Sequence, residues 1–238
     1  MTDDHRGMGL KISAILINRV LPEDEQTALV QKYYRSYSPK GEAKLEEALH
    51  PDGRDMFVGS VGIATILTHS DIPYNITLDA RNVGVYEKKH PLLSKLTKHF
   101  PTEDLFCCYF NSVGVYFSYS FIRDGLRVRY KRSHQPDNLA VEEAGDLQQQ
   151  EIPYHAFSRI LSIEPSGEQV YPSGARLHTS VIAQREYHKQ ASLTSETPEF
   201  LNEFQVGYEV IMDVSQSFLG TRLDRLPMEQ IPMTRYAK

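Results

Sequence analysis

His69 and Asp71 are the residues whose type and spacing most directly suggest chemistry. Both leave the end of an apolar strand on the same side, where an acid and a base, or a pair of metal ligands, can meet a substrate. Such a pair suits a small-molecule hydrolase, but by itself it is incomplete. Zinc sites need more protein ligands than this, and no cysteine or histidine in the chain stands at finger or zincin spacing. The plainer account has Asp71 closing the turn Ser70-Asp71-Ile72-Pro73 with His69 beside it. His178 is the remaining acid–base candidate, with His188 and Glu186 further along the same stretch. No metal and no cofactor is expected.

Arg123, Arg127, Arg129, Lys131 and Arg132 form the most concentrated basic patch. On a regular strand Arg127, Arg129 and Lys131 point to one face, and a row of cations can hold a phosphate, a carboxylate or an RNA backbone. The competing account is a solvated face, or an edge strand kept from aggregating by its charge. The aromatics between Tyr109 and Tyr130 lie close by, and cross-strand packing explains them better than base stacking does.

Nucleophilic and nucleotide chemistry find little support. Ser112 follows Asn111 at a bend before Gly114, with no G-x-S-x-G elbow, so turn chemistry accounts for it. Cys107 and Cys108 are adjacent in an apolar run, which directs them to opposite faces of a strand and against a mutual disulfide; they read as small buried hydrophobes. Neither a P-loop nor a Rossmann glycine fingerprint is present.

These residues need elements to position them. Lys11 to Val20 is Ile-rich and reads as a buried strand. Pro22 followed by three acids opens a helix running to Tyr37, and a second short helix covers Glu42 to Leu49. Met56 to Ser60 and Gly62 to His69 are β-like, Asp71 to Lys89 is looser, and Pro91 to Phe100 is a helix with one leucine-rich face. A β-meander follows: Leu105 to Phe110, Val113 to Ile122, the tight turn Asp124-Gly125, then Leu126 to Lys131. Ser133 to Gln150 reads as loop, and residues up to Ser195 give no firm assignment. Thr197-Pro198-Glu199 offers a helix start, and Phe200, Phe204, Tyr208, Ile211, Val214 and Phe218 recur at helical spacing, with Gly207 to Leu219 as the alternative extent; Gly220 closes the helix and a tail packs back onto the core. Ser60-Val61-Gly62 and Ser112-Val113-Gly114 sit in similar surroundings, which suggests an internal duplication of a helix-strand-strand unit over 42–70 and 91–122.

With 238 residues, 40% hydrophobic and 24% charged, the chain has the make-up of a folded domain, and disorder is excluded. Its formal net charge of −5 opposes attraction of the whole surface to nucleic acid or to anionic lipid. No apolar run reaches the roughly 18–20 residues of a membrane span. Met1 to Gly9 is polar, unlike a secretory signal, and a cytoplasmic setting is expected.

The runs Asn111-Ser112-Val113-Gly114 and Tyr119 to Arg129, together with Val206 to Ser215 and Phe218 to Asp224, resemble a family of uncharacterised bacterial proteins, a domain of unknown function. The resemblance covers about a fifth of the chain. It implies an intracellular bacterial α+β protein and carries over no activity and no site residues.

The sequence as a whole therefore predicts a single α+β domain over 1–238, a mixed or largely antiparallel sheet with flanking helices. The leading functional expectation is a non-catalytic binding or interaction module. Its partner would be a protein or a small anionic ligand, held on the strand face of Arg127, Arg129 and Lys131. The hydrolase built on His69 and Asp71, or on His178, is the alternative.

Overall fold

The computed structural model describes residues 10–51, 53–78, 91–134, 140–152, 154, 162–163, 168–170, 176–178 and 203–238. The chain separates into two compact units, Met1–Asp146 with Ile211–Lys238 and Leu147–Val210, where the sequence suggested one continuous domain.

The first unit is built on a nine-stranded sheet in which every neighbouring pair is antiparallel. Its strands are β1 (Lys11–Ile17), β2 (Ser38–Lys44), β3 (Met56–Val61), β4 (Ala64–His69), β5 (Leu105–Asn111), β6 (Tyr116–Arg123), β7 (Leu126–His134), β8 (Ala140–Gly145) and β12 (Pro232–Ala237), in the spatial order β2-β12-β3-β4-β1-β5-β6-β7-β8. The first strand in sequence therefore lies in the middle, as its apolar composition requires. The helices α1 (Glu23–Tyr33), α2 (Leu45–Leu49), α3 (Ile72–Leu78) and α4 (Pro91–His99) complete the N-terminal part, and α5 (Glu203–Leu219) comes near the C-terminus. No described helix is long and apolar enough to cross a membrane. Within the second unit β9 (Ser162–Ile163), β10 (Glu168–Val170) and β11 (Arg176–His178) form a small antiparallel sheet.

Strand alternation gives the large sheet two apolar faces. Ile15, Ile17, Leu67, Met56, Val58 and Leu105 point to one face and join a single core with Leu29 and Val30 of α1, Ile72 and Ile76 of α3, and Leu93 and Leu96 of α4. The opposite face carries Phe106, Tyr119 and Phe121, whose rings contact one another, and Phe218 of α5 reaches Phe106. Burying a Leu, Ile or Phe side chain contributes about 2 kcal/mol, so these two layers dominate the stability.

Several sequence expectations need correction. Helix α1 stops at Tyr33 instead of Tyr37; the chain then turns so that Tyr34 and Tyr37 stack at 4.5 Å and the Tyr37 hydroxyl donates to the Arg54 carbonyl at 2.9 Å. The segment expected to begin a helix at Glu42 is partly the edge strand β2, and helix α2 starts only at Leu45. Part of the expected loop from Ser133 is strand: β7 continues to His134 and β8 follows it. Among the described residues helix α5 covers Glu203–Leu219, so it passes through Gly207 and does not start there. The two segments thought to be duplicated are each a helix followed by a hairpin. Yet β3 and β5 run in opposite directions across β1, and β1 borders the second strand of one hairpin but the first of the other.

The hairpin at Asp124-Gly125 forms as its sequence dictates, with φ of 49° and 70°. Just beyond it the ladder slips: Ile122 faces Arg127 while Phe121 faces Arg129, which leaves Val128 as the extra residue of a β-bulge. Gly145 on β8 lies against this bulge. Its φ is +86°, and a Cβ there would stand 2.0 Å from the Val128 carbonyl oxygen. Gly145→Ala combines that backbone clash with a left-handed conformation, and is expected to destabilise the protein by at least about 2 kcal/mol, measured by urea unfolding. An unchanged midpoint would show that β8 can leave the sheet without cost.

Candidate functional site

The bulge decides the fate of the expected basic strand face. Arg127 turns towards the helices, where its guanidinium donates to the Ile76 carbonyl in the last turn of α3 and lies over the Tyr130 ring at 5.9 Å. Arg129 and Lys131, opposite Phe121 and Tyr119, turn to the other face. Arg129 donates to the Gly145 carbonyl at 3.2 Å and pairs with Glu143 at 2.6 Å. The three residues are exposed by only 1%, 3% and 4%, so they do not form an accessible ligand surface. Arg127 and Arg129 have their partners within the fold, where removing one partner of a buried charge costs several kcal/mol, about 3–5. Arg132 is partly buried and pairs with Glu142 at 2.5 Å, while the exposed Arg123 pairs with Asp104 at 3.3 Å.

His69 and Asp71 are brought together, but as a helix start. The His69 ring is fully buried, and its Nδ1 accepts the backbone N–H groups of Asp71 at 2.9 Å and of Ile72 at 3.2 Å. Two donors that α3 would otherwise leave unsatisfied are thereby paired. An accepting Nδ1 places the ring proton on Nε2. The ring stacks on Tyr34 at 5.4 Å. Burial holds its pKa below the ordinary histidine value, against smaller opposing pulls from Asp71, the Arg54 carbonyl and Asp55. The carboxylate of Asp71 itself is on the exposed surface. This histidine has no open path to a substrate and already uses its accepting nitrogen, so the pair fits turn chemistry and not hydrolysis.

The other candidates divide similarly. His178 lies on β11 opposite Glu168, in the second unit. His188 and Glu186 fall outside the described residues. Asn111 accepts the N–H groups of Val113 and Gly114, both at 3.1 Å, so the bend near Ser112 is an Asx turn. Cys107 and Cys108 are free and buried; burial pushes the Cys107 thiol up to about 12 and Cys108 higher still, which removes them as nucleophiles. Among the described residues no three His, Cys, Asp or Glu side chains are grouped to hold a metal ion.

What the structure does assemble is a surface that the sequence reading missed. Helices α1 and α4 pack through Leu29, Val30, Leu93 and Leu96, so the intervening positions turn outward. Between the helices runs an open groove of about 490 Å³ lined by Ala28, Gln31, Lys32, Arg35, Lys95 and Lys98. All four cations are exposed, no acidic side chain lines the groove, and among the described residues none of the four makes an ion pair. Lys95 lies 5.8 Å from the Tyr33 ring centre, and the Lys32 ammonium donates to Nδ1 of His99 at the groove's end. Burial, with help from Lys32, lowers the His99 pKa and keeps that ring an acceptor. The i,i+3 spacing of Lys95 and Lys98 was visible in the sequence, as was that of Lys32 and Arg35. Their meeting across two helices about sixty positions apart was not.

No protein-family model, curated protein or solved structure matches the chain.

The His69 arrangement generates a pH dependence with a definite sign. The fold favours the neutral ring, so its contribution is complete above the ordinary histidine pKa of about 6.5 and is lost as pH falls through the lowered value, when a protonated Nδ1 would confront two N–H donors. Urea unfolding at a series of pH values should therefore show stability falling on acidification. His69→Asn keeps an acceptor near α3 without a titrating ring, and is expected to be less stable at neutral pH but flatter towards acid. An equal acid slope in the variant would remove His69 as its cause.

Proposed function

We propose that this chain is a non-catalytic binding module whose working surface is the groove between α1 and α4, and that its partner is anionic. The observation that carries the reading is the convergence of Lys32, Arg35, Lys95 and Lys98 on one groove with no acid to answer them, in a chain whose net charge is −5. Elsewhere on the described surface the arginines largely have carboxylate partners, as in Arg19–Glu103 at 3.3 Å and Arg222–Asp213 at 2.8 Å. Exposed like charges repel by up to about 1 kcal/mol at 4 Å in water, so the cluster raises the free energy of the unbound fold slightly and releases that cost when an anion arrives. Lysine stems lying over helix surface add apolar contact.

This reading keeps the binding module expected from the sequence and moves its surface from β7 to the helices. The hydrolase alternative gains no accessible acid or base from the His69 geometry. The free, adjacent thiols are consistent with a reducing, cytoplasmic setting. The likeness to an uncharacterised bacterial family belongs to this proposal too and brings no activity to it.

Chemical-shift mapping tests the reading. Backbone amide resonances followed during titration with sodium tripolyphosphate and with a short poly-glutamate peptide should move along α1 and α4. The quadruple variant Lys32→Gln, Arg35→Gln, Lys95→Gln, Lys98→Gln should lose those movements while unfolding at the same temperature or higher, since repulsion is removed. Absence of movement along α1 and α4 with both probes would reject the groove as an anion site.

A further inference from the structure

We infer that the occupant of the α1–α4 groove is an extended acidic segment of another polypeptide, a conclusion that rests on the reading of this groove as an anion-binding surface. The polarity of the helices is the first argument. Lys32 lies in the last turn of α1, and Lys98 with His99 in the last turn of α4, so the groove sits towards the carbonyl ends of both helices. Compact phosphate sites draw on backbone N–H groups at helix N-termini or in nests. Here, among the described residues, no helix N-terminus or nest faces the groove, and a phosphate would meet side-chain cations alone.

The kind and spread of the cations is the second argument. Three of the four are lysines, point charges on flexible stems, and they are divided between the two walls of an open trough. That distribution suits several separated carboxylates better than one compact polyanion, whose planar or bidentate recognition would call for convergent arginines. Gln31 is the neutral polar group in the lining, and its side-chain amide offers both a donor and an acceptor to a peptide backbone. Ala28 is the small apolar residue of the lining, against which the methylenes of glutamate side chains can lie.

The third argument concerns what the lining lacks. No aromatic ring is among the groove-lining residues, so a nucleobase has nothing to stack on. Single-stranded nucleic acid is normally held by such stacking in addition to charge.

The experiment compares three fluorescently reported probes on the full chain: a poly-glutamate peptide, sodium tripolyphosphate by competition, and oligouridylate. The peptide is expected to bind saturably, to weaken markedly when salt is raised from about 50 to about 500 mM, and to weaken by about tenfold or more in Arg35→Glu/Lys98→Glu. Circular dichroism and melting temperature report whether that variant is folded; Lys95→Gln/Lys98→Gln, with a smaller but same-signed loss, serves if it is not. Tripolyphosphate or oligouridylate binding along α1 and α4 while the peptide does not would overturn the inference and leave the groove an anion site. If none of the three perturbs α1 and α4, the anion-site reading falls with it.

Discussion

A helix as short as α3 does not persist unless its ends and its apolar face are held from outside, and the partners that hold it tie together the middle of the main sheet. Its first N–H groups go to the buried ring of His69, and the Ile76 carbonyl near its end receives the Arg127 guanidinium. The carbonyl of His69 in turn accepts the Ser13 hydroxyl at 2.6 Å. Ser13 interrupts the apolar run of β1, and its satisfied hydroxyl helps set the register of that strand between β4 and β5. A slip by one residue would flip its side chains across the sheet and leave a buried hydroxyl without a partner. The buried contacts from Ser13 through His69 and α3 to Arg127 therefore link three strands, β1, β4 and β7, across the core side of the sheet.

The bulge at Val128 is the second constraint, because it sorts the cations by face. Without it, Arg127 and Arg129 would share one side of β7. With it, Arg127 reaches α3 while Arg129 turns to Glu143 on β8. Arginine is suited to both tasks, since its planar donors can satisfy a carbonyl or a carboxylate and its charge survives burial. The cost of this arrangement falls on β8, where Gly145 must accommodate the protruding carbonyl. The most basic stretch of the sequence thus contributes to the interior of the fold.

Legibility followed the strength of the local signal. The meander from Leu105 to Lys131, its Asp124-Gly125 turn and the leucine face of α4 could be read directly, because alternation, turn chemistry and helical spacing agree there. Strand β2, SPKGEAK, has no alternating apolar pattern and a single buried residue, Ala43; it exists because the backbone of β12 pairs with it, a long-range partner that no local window contains. Strand β8 was hidden for a similar reason, since its glutamates satisfy arginines on β7 and look like loop residues when read alone. The His69 turn was legible in outline, whereas the direction of its nitrogen was not. The basic face failed because period-two alternation assumes an unbroken ladder, and one extra residue reverses the side on which every later residue falls.

That failure clarifies which charges are free to act. Basic residues close in sequence were neutralised within the sheet, where neighbouring strands offered carboxylates and carbonyls at fixed spacing. The lysines of α1 and α4, with Arg35 just past the end of α1, came together only through packing of the apolar faces beneath them, and no acid stands among the groove's lining residues. Folding can satisfy the first set because sheet geometry brings donors and acceptors into register as a consequence of pairing. It has no equivalent means for the second set: helix packing is driven by leucines and is indifferent to the charges it juxtaposes on the outer surface. An acidic chain has carboxylates enough to close such a groove, and under the reading proposed above the open groove keeps a local positive field for a partner's carboxylates.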